Sequence, residues 1–329
     1  MEITNVQARM DLRQIRYFVA VAESKSLTRA VDRLDVAQPA LSLNIKSLEQ
    51  ELDAQLFNRS QRGMELTDAG TEFLNHAYGI LRQVAQAQRS VNDLEKDPHG
   101  SVAVAMPPSL SHALTVPLFN YVNERFPRIE LDLEEGLQAN VLPAFERGQF
   151  DLLVHFDIPK SKSRSIKPIF REHLYLISPL QGDGEPNGSD ISFRELSKHL
   201  ILKPSDRNTL GALLARHAAR QGIVLKGPPI HTPYHQTMLL IKAGITSAVL
   251  PYSAVHDLVG SSVTARKIVR PAIRRDVAIV SQADRAQSFA TQQVAQAIKS
   301  VVSELWQSRK WRGELLIESD DEMEGATGV

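Results

Sequence analysis

An apolar and a basic side chain share one predicted helix face within residues 26–52, and two further basic residues follow in the next loop. Leu43 and Lys46 are three residues apart, so they would lie on one face of a helix, and Arg59 and Arg62 come shortly afterwards. An ammonium or guanidinium group can neutralise a phosphate, whereas an apolar side chain can contact the methyl group of thymine. If these residues lie on one exposed surface, they could contact a nucleic acid.

Two short amphipathic helices would position this face. Ser26 can cap the first, whose apolar residues fall at i, i+3, i+4 and i+7: Leu27, Ala30, Val31 and Leu34. The second opens with Pro39, which suits a first turn, and its buried stripe consists of Leu41, Ile45, Leu48 and Leu52. Helices joined by so tight a turn form a helix-turn-helix, whose second helix can enter the major groove of DNA. Periodicity alone leaves open the alternative of an ordinary pair of core helices.

The flanking segments complete a small domain. An amphipathic helix is predicted over residues 12–22, and it would form the third side of the core. After the helical pair, two short strands at 55–57 and 64–66 flank a turn, which is typical of a wing. Arg59 and Arg62 would lie on this wing and contact phosphate or the minor groove. The alternative is that both are solvated loop residues.

A long helix is predicted next, capped by Thr67 and continuing to about Leu94. Its apolar residues repeat with spacings of four and three, which is a coiled-coil pattern. Nothing nearby in the sequence could cover so long a seam, so we predict that it pairs two chains. The predicted dimer contacts are Phe73, Ala77, Ile80, Val84, Ala87 and Val91. The alternative is that the helix packs against a later domain of the same chain.

A proline and a glycine within residues 97–100 mark a boundary, after which short apolar strands alternate with helices. Such alternation predicts an α/β fold with a mainly parallel sheet. In sheets of this kind ligands bind beyond the carboxyl ends of strands, near helix N-termini. That rule selects Pro108, Ser109, Ser111, Gly136, Leu137, Gln138, Phe156, Pro204, Ser205 and Tyr234. Ser109 is the best candidate for contact with a carboxylate, and its alternative role is a plain N-cap.

Composition limits the other classes of function. The chain has 38 basic residues, 38 acidic residues and no cysteine, so disulfides, thiolate nucleophiles and cysteine-based zinc sites are excluded. Residues 1–96 contain twelve Lys and Arg against thirteen Asp and Glu, so phosphate contact must depend on placement rather than on net charge. No apolar run is long enough to span a membrane and no signal peptide is recognisable. We therefore expect a cytoplasmic protein with no membrane partner.

No catalytic or metal site is expected. His231 and His235 are four residues apart, but that spacing chelates a metal only on a helix, and Pro233 lies between them. The chain has neither a GxSxG elbow nor a phosphate-binding GKS/T loop. An α/β-fold enzyme remains as an alternative that rests on the fold pattern alone. A solute-binding protein acting on a small metabolite is a second alternative, and it would explain only residues 100–306.

An ordered set of motifs extends through the N-terminal part of the chain: LRQIRYFVAVAE, AQPALS, SLEQEL, QLFNR and RGMELTDAG. In order and spacing they resemble the N-terminal domain of the LysR-type transcriptional regulators, and the resemblance continues to about Trp306. The segment SHALTVPLF, which begins at Ser111, is most similar to the nitrogen assimilation control branch of that family. Family members usually begin near Met10, so Met10 and Met1 are both candidate starts.

The resemblance implies an α/β fold class with an N-terminal winged helix-turn-helix, a long linker helix and a two-lobed, periplasmic-binding-protein-like (type 2) sensor domain. The implied boundaries are 10–67 for the DNA-binding domain, 68–96 for the dimerising linker helix and 100–306 for the sensor. We expect residues 307–329 to form a disordered tail, because residues 318–329 carry five acids and no basic residue. Lobe 1 would comprise residues 100–171 and 275–306, and lobe 2 would comprise residues 172–274.

The resemblance also implies the partners. A homodimer or homotetramer would bind double-stranded promoter DNA and respond to a small anionic metabolite, with RNA polymerase as a further partner and no cofactor. The expected DNA contacts are Thr28, Arg29, Gln38, Pro39, Ser42, Leu43, Asn44, Lys46, Arg59 and Arg62. The chain departs from common family forms at Gln138, Gly211 and Thr246, which weakens the expectation of a small carboxylate effector. Leu43 stands where arginine is frequent, so a polar contact with DNA would become apolar.

Overall fold

The structure, a computed structural model, describes residues 10–60, 63–92, 97–180, 190–204, 209–230, 234–283 and 286–317. The chain divides into two compact units, Met1–Glu95 with Ala144–Gln149, and Lys96–Pro143 with Phe150–Val329. Each unit contains hydrophobic clusters of its own.

The first unit is a winged helix-turn-helix followed by a long helix, which confirms the predicted architecture. Its elements are α1 Leu12–Ser24, α2 Leu27–Leu34, α3 Gln38–Glu51, β1 Phe57–Ser60, β2 Gly63–Leu66 and α4 Asp68–Asn92. Strands β1 and β2 pair antiparallel, with Phe57 opposite Leu66.

Local capping determines where α1 and α2 begin. Asp11 accepts the N–H of Gln14 at 2.8 Å, and the Gln14 side chain accepts the N–H of Asp11 at 2.9 Å, which forms a capping box. Ser26 caps α2, as the sequence predicts, by accepting a backbone N–H at 3.4 Å. Each helix is followed by a residue with positive φ, Lys25 after α1 and Asp35 after α2. The chain can therefore turn sharply between the helices.

Phe18 lies at the centre of the first unit's core. Its ring centroid is 5.2 Å from that of Phe57 and 4.9 Å from that of Phe73, so α1, the wing and α4 meet at one side chain. The apolar stripe predicted on α3 is buried, with one exception. Leu52 is exposed because α3 ends one residue before it.

The wing is tied to the helices by backbone hydrogen bonds. The N–H of Met64 donates to the carbonyl oxygen of Lys25 at 3.1 Å. Gly63 has a φ of +118°, and a Cβ at this position would lie 2.4 Å from the same carbonyl oxygen, so glycine is required here. Glu49 accepts two backbone N–H groups at the start of β1, at 2.8 and 3.2 Å. Its carboxylate therefore fixes the path of the chain from α3 into the wing.

Helix α4 packs its first turns on its own unit. Ala77 is fully buried, and Phe73 packs edge-on against Phe18 of α1. Ile80 also packs against this core. Ala77 therefore has no exposed surface in one chain that a second chain could contact, whereas the predicted contacts of Phe73 and Ile80, which are half-buried, stay predictions.

The second unit is the predicted α/β domain. It begins with β3 Gly100–Met106, α5 Pro108–Arg125, β4 Ile129–Glu135, α6 Gln138–Glu146, β5 Leu152–Phe156 and β6 Arg164–Pro179. It continues with β7 Ile191–Ser192, β8 Lys203–Pro204, α7 Thr209–Gln221, β9 Pro229–Ile230, α8 Tyr234–Lys242, β10 Ala248–Pro251, β11 Val263–Val269, β12 Arg274–Gln282, α9 Phe289–Gln307 and β13 Gly313–Leu315. Short 3₁₀ helices occur at Phe193–Lys198 and Tyr252–Ala254.

The strand order explains how two lobes arise. The main sheet runs β4-β3-β5-β12-β6-β11-β7, with β3 parallel to β4 and β5, and with β12 antiparallel to β5 and β6. The first part of β6 pairs with β12, and the last part pairs with β10 and β11. Phe170 and Val277 belong to one hydrophobic cluster, whereas Leu174 and Ile273 belong to another. The two long strands β6 and β12 therefore cross from one lobe to the other near residues 172 and 275.

A buried ion pair occupies this crossing. Glu172 is completely buried and Arg275 is 6% exposed. The Nε of Arg275 donates to one carboxylate oxygen of Glu172, and the Nε1 of Trp311 donates to the other at 2.8 Å. The Trp311 ring packs on Phe170 with 5.0 Å between centroids. Because both oxygens of the carboxylate are hydrogen-bonded, the cost of burying the charges is offset in part.

The expectation that residues 307–329 form a disordered tail is wrong for residues 307–317. Trp311 is buried, and β13 adds to the sheet with Gly313 opposite Glu172 and Leu315 opposite Phe170. The acidic composition that favours disorder belongs only to residues 318–329, which lie outside the described residues.

Replacing Trp311 by alanine should lower the free energy of unfolding by about 3–5 kcal/mol, the usual range for truncating a large buried aromatic side chain. The variant would create a cavity beside Phe170 and leave one oxygen of Glu172 without its partner. The chain's other tryptophan, Trp306, is 40% exposed, so Trp306→Ala should cost much less. Urea unfolding followed by circular dichroism compares the two variants. Equal losses would contradict the role assigned to Trp311.

Candidate functional site

One face of α3 lies outside the core and carries side chains predicted to contact DNA. The described members of the predicted set are all exposed or half-buried: Thr28, Arg29, Gln38, Pro39, Ser42, Leu43, Asn44 and Lys46. Leu43 is 68% exposed, whereas the opposite face of α3 is fully buried. No side chain caps α3, so its first N–H groups can donate to a phosphate. Arg62 and the side chain of Arg59 lie outside the described residues.

The basic side chains beside this face are not equally available for contact with phosphate. Arg33 of α2 donates to Glu23, which also accepts the hydroxyl of Tyr78 at 3.0 Å. Burial and this hydrogen bond to Glu23 raise the pKa of Tyr78 to about 12. Arg29 and Lys46 are exposed. Of the described bases on α2 and α3, these two are therefore the better placed to meet phosphate.

A cavity of about 590 Å³ lies between the two lobes of the second unit. Eight of the ten residues predicted to contact a ligand line it: Pro108, Ser109, Gly136, Leu137, Gln138, Phe156, Pro204 and Tyr234. Ser205 lies outside the described residues. Ser111 does not line the cavity, contrary to prediction. Because α5 begins at Pro108, Ser111 lies within the helix, where its hydroxyl hydrogen-bonds that of Thr115 at 3.1 Å.

Arg275 is a buried cation of the cavity lining that the sequence patterns did not identify. Its Nη2 donates to the Ser109 hydroxyl at 3.2 Å, and its guanidinium carbon lies 3.3 Å from the centroid of the Phe156 ring. In the sequence it looks like a surface residue because another arginine precedes it and an aspartate follows. One signal could have found it: Ile273 and Val277, two positions away on either side, place Arg275 on the apolar face of a strand.

A second missed residue is His155, which lines the cavity and is buried. Its Nδ1 accepts the N–H of Phe156 at 2.8 Å, and its Nε2 has no partner within the described ranges. Burial lowers the pKa of His155 to about 4. A hydrogen bond with the backbone of Phe156 opposes this shift, and the charge of Arg275 adds to it. At neutral pH the ring is uncharged, and with Nδ1 accepting, its proton is on Nε2. A ligand oxygen could accept from this donor.

Helix N-termini converge on the same cavity. Residues in the first turns of α5, α6, α7 and α8 line it, namely Ser109, Gln138, Thr209 and Tyr234. The N-terminus of a helix carries unpaired N–H groups and a partial positive charge. The described lining also contains Lys203 and Arg275, against Glu135 as its one acid. Because Glu172 neutralises Arg275 and Glu135 balances Lys203, the helix N-termini are the feature of this lining that favours a small anion, and the volume suits a metabolite.

Two family models match the chain. Residues 12–71 match the bacterial regulatory helix-turn-helix protein of the lysR family, and residues 95–303 match the LysR substrate binding domain. The chain belongs to the LysR family of transcriptional regulators. LysR-type regulators are DNA-binding proteins and not enzymes, so the family excludes both the enzyme and the solute-binding alternatives.

Individual LysR-type proteins show the same relationship over most of the chain. The nitrogen assimilation regulatory protein nac of Klebsiella aerogenes is 30% identical over 254 residues, which cover 77% of this chain and 82% of the relative. A full-length OxyR variant from Pseudomonas aeruginosa has a TM-score of 0.69 at 21% identity and covers 94% of this chain and 99% of that one. Full-length CbnR in complex with its target DNA has a TM-score of 0.67 at 20% identity, over 89% of this chain and all of that one. These structures share the LysR fold.

Among the described residues, no helix combines the length and the apolar character that crossing a bilayer would require.

Proposed function

We propose that this LysR-type regulator reads promoter DNA through the exposed face of α3 and changes its activity when a small anionic metabolite enters the inter-lobe cavity. The observation that carries the second part is the hydrogen bond from Arg275 to Ser109. It joins the cavity lining to the buried pair at the crossing of the two lobes. A ligand that contacts Ser109 would act on the residues around which the lobes are arranged.

The chemistry of each exposed side chain on α3 suggests whether it would contact phosphate or a base. Lys46 carries a charge that can neutralise a phosphate on any sequence. Leu43 carries no charge and is exposed, so it suits contact with a thymine methyl group in the major groove. Arg29 and the bases of the wing would add phosphate contacts at the edge of the groove.

Replacing Lys46 by alanine should weaken binding on all DNA sequences and lower the salt slope by about one, because one phosphate contact is lost. Leu43→Ala should instead change the relative affinity for sites that differ at one base pair. Fluorescence anisotropy on DNA flanking this gene, at several salt concentrations, measures both effects. The matched control is Arg13→Ala, which removes an exposed base of α1 that pairs with Asp11.

The control should bind as the wild type does. If Lys46→Ala and Leu43→Ala also behaved as the wild type, α3 would not present this face to DNA.

We propose that two chains pair through the later part of α4. Val84 is half-buried and Ala87 is exposed within one chain, and the side chain of Val91 lies outside the described residues. These positions continue the apolar spacing beyond the turns that cover α1. Pairing would bury them and set the distance between two DNA-binding units, as a dyad site requires. Tetramers would then form from such dimers.

Val84→Asp should weaken association, because a buried carboxylate would have no partner in the seam. Light scattering over a range of protein concentrations measures the mass. His76→Asp places the same charge on an exposed side of α4 and should leave the mass unchanged. A Val84→Asp protein with the wild-type mass at every concentration would refute the pairing.

The cavity combines electrostatic attraction for an anion with an unsatisfied hydrogen-bond donor. The helix N-termini attract an anion, whereas Arg275 is already paired with Glu172, and the Nε2 of His155 offers a buried donor. Burial of an unpaired donor costs free energy that a ligand oxygen would recover. Only a ligand with different affinities for two lobe arrangements can shift the equilibrium between them. Since the nac relative is named for nitrogen assimilation, amino acids and keto acids are the first candidates to test.

Ser109→Ala should reduce the response to effector and leave DNA binding intact. Ser111→Ala is the matched control, since it removes the same hydroxyl on the same helix outside the cavity. Two measurements decide: the rise in melting temperature with each small carboxylate, and reporter output across nitrogen sources. The proposal fails if no metabolite stabilises the wild type and its output is constant, or if the two serine variants respond alike.

We also propose that the protein acts in the cytoplasm, where promoter DNA is accessible, and that RNA polymerase is a further partner. In vitro transcription from the bound promoter, with purified polymerase, tests this. An unchanged transcript level on addition of the regulator at saturating concentration, with and without the metabolites above, would argue against it.

A further inference from the structure

Three potential metal ligands meet outside the cavity, and they come from both lobes. His112 lies on α5 in the first lobe, whereas His256 and Asp257 follow the 3₁₀ helix Tyr252–Ala254 in the second. One ligand atom from each residue lies within 4.8 Å of the other two. The Nε2 of His112 is 3.2 Å from an oxygen of Asp257. None of the three lines the cavity described above.

We propose that His112, His256 and Asp257 bind a divalent transition-metal ion, with Zn²⁺ as the representative, and that this ion holds the two lobes together. The site is separate from the proposed effector site and would regulate the protein through a second kind of ligand.

The distances are close to those of a coordination sphere. Zinc binds imidazole nitrogen and carboxylate oxygen at about 2.0–2.2 Å, so the ligand atoms of a tetrahedral site lie about 3.4 Å apart. The 3.2 Å between His112 and Asp257 already fits. The remaining distances, which are up to 4.8 Å, must shorten by small side-chain shifts, and these are feasible because none of the three side chains is buried.

Neighbouring groups hold the ligands in suitable orientations. The Nδ1 of His256 is 3.0 Å from the carbonyl oxygen of Ser253. When Nδ1–H donates to this carbonyl, the lone pair of the ring is on Nε2, which is the arrangement typical of metal-bound histidine. The ring of His112 packs on that of Tyr234, with 5.4 Å between centroids.

The ligand set selects the metal. Two imidazoles and one carboxylate suit zinc, nickel, copper and cobalt, whereas magnesium and calcium prefer all-oxygen sites. Three protein ligands leave at least one position for water.

Because the ligands come from both lobes, metal binding would affect how the lobes are arranged. A metal bound by residues of both lobes gains all three bonds only when the lobes are arranged as in this structure. Its differential affinity would shift the equilibrium toward that arrangement. His112 lies about one turn after Ser109 on α5, so metal and effector would act on the same helix.

The test uses the full chain without a polyhistidine tag, after treatment with a chelator. Isothermal titration with Zn²⁺ should give one site per chain, and titration with Mg²⁺ should give none. His256→Gln and Asp257→Asn should each lower the affinity for Zn²⁺ at least about 10-fold, since even the loss of an outer-shell partner has an effect of that size. His235→Gln removes an exposed histidine of α8 and should leave the affinity unchanged.

Melting temperatures separate metal loss from unfolding. Zn²⁺ should raise the melting temperature of the wild type and of His235→Gln, because it binds the folded state. It should raise it less in the two ligand variants, whose metal-free melting temperatures should match that of the wild type. The proposal is overturned if the wild type binds no Zn²⁺, or if both ligand variants bind it as tightly as the wild type does. Substoichiometric binding that all four proteins share would also overturn it.

Discussion

The pair of Glu172 and Arg275 is the interaction on which the sensor unit depends. Two buried charges cost more free energy than their attraction returns unless their remaining hydrogen-bonding groups are also satisfied. Here Trp311 donates to the second oxygen of Glu172, while the Phe156 ring and the Ser109 hydroxyl contact the guanidinium. The pair therefore holds together the two crossing strands, the C-terminal strand and the first turn of α5. Loss of either charge would leave the other buried without a partner.

This position also connects structure with sensing. The strands β6 and β12 carry the chain between the lobes, so a change in lobe arrangement must alter the backbone near Glu172 and Arg275. The same arginine borders the cavity through Ser109. A ligand that competes for the Ser109 hydroxyl would weaken one of the contacts that hold the guanidinium in place. In the proposed mechanism, Arg275 would therefore connect effector binding directly with the arrangement of the lobes.

Local patterns predicted most elements, because periodicity, caps and turn residues act over a few positions. The same patterns do not show what covers a buried face. Ala77 has the spacing of a coiled-coil seam, yet it is fully buried within one chain. The cavity lining was only partly predictable. The rule that ligands bind beyond strand ends identified Ser109, but it did not identify its hydrogen-bond partner Arg275, which lies 166 residues away. Contacts between distant positions follow from topology, which a single sequence does not specify. Trp311 was missed because its burial depends on pairing of β13 with β6.

The DNA-binding unit achieves contact with an anionic polymer without a net positive charge. Two of its acidic residues have structural roles. Glu23 pairs with Arg33, and Glu49 accepts two backbone N–H groups at the start of the wing. These acids stabilise the fold at the expense of the electrostatic attraction that would give nonspecific affinity. If fewer phosphates are contacted as a result, binding should depend less on salt and base contacts should contribute relatively more. Leu43, the exposed leucine of α3, fits this proposal, because an apolar contact with a thymine methyl group would distinguish bases without adding charge.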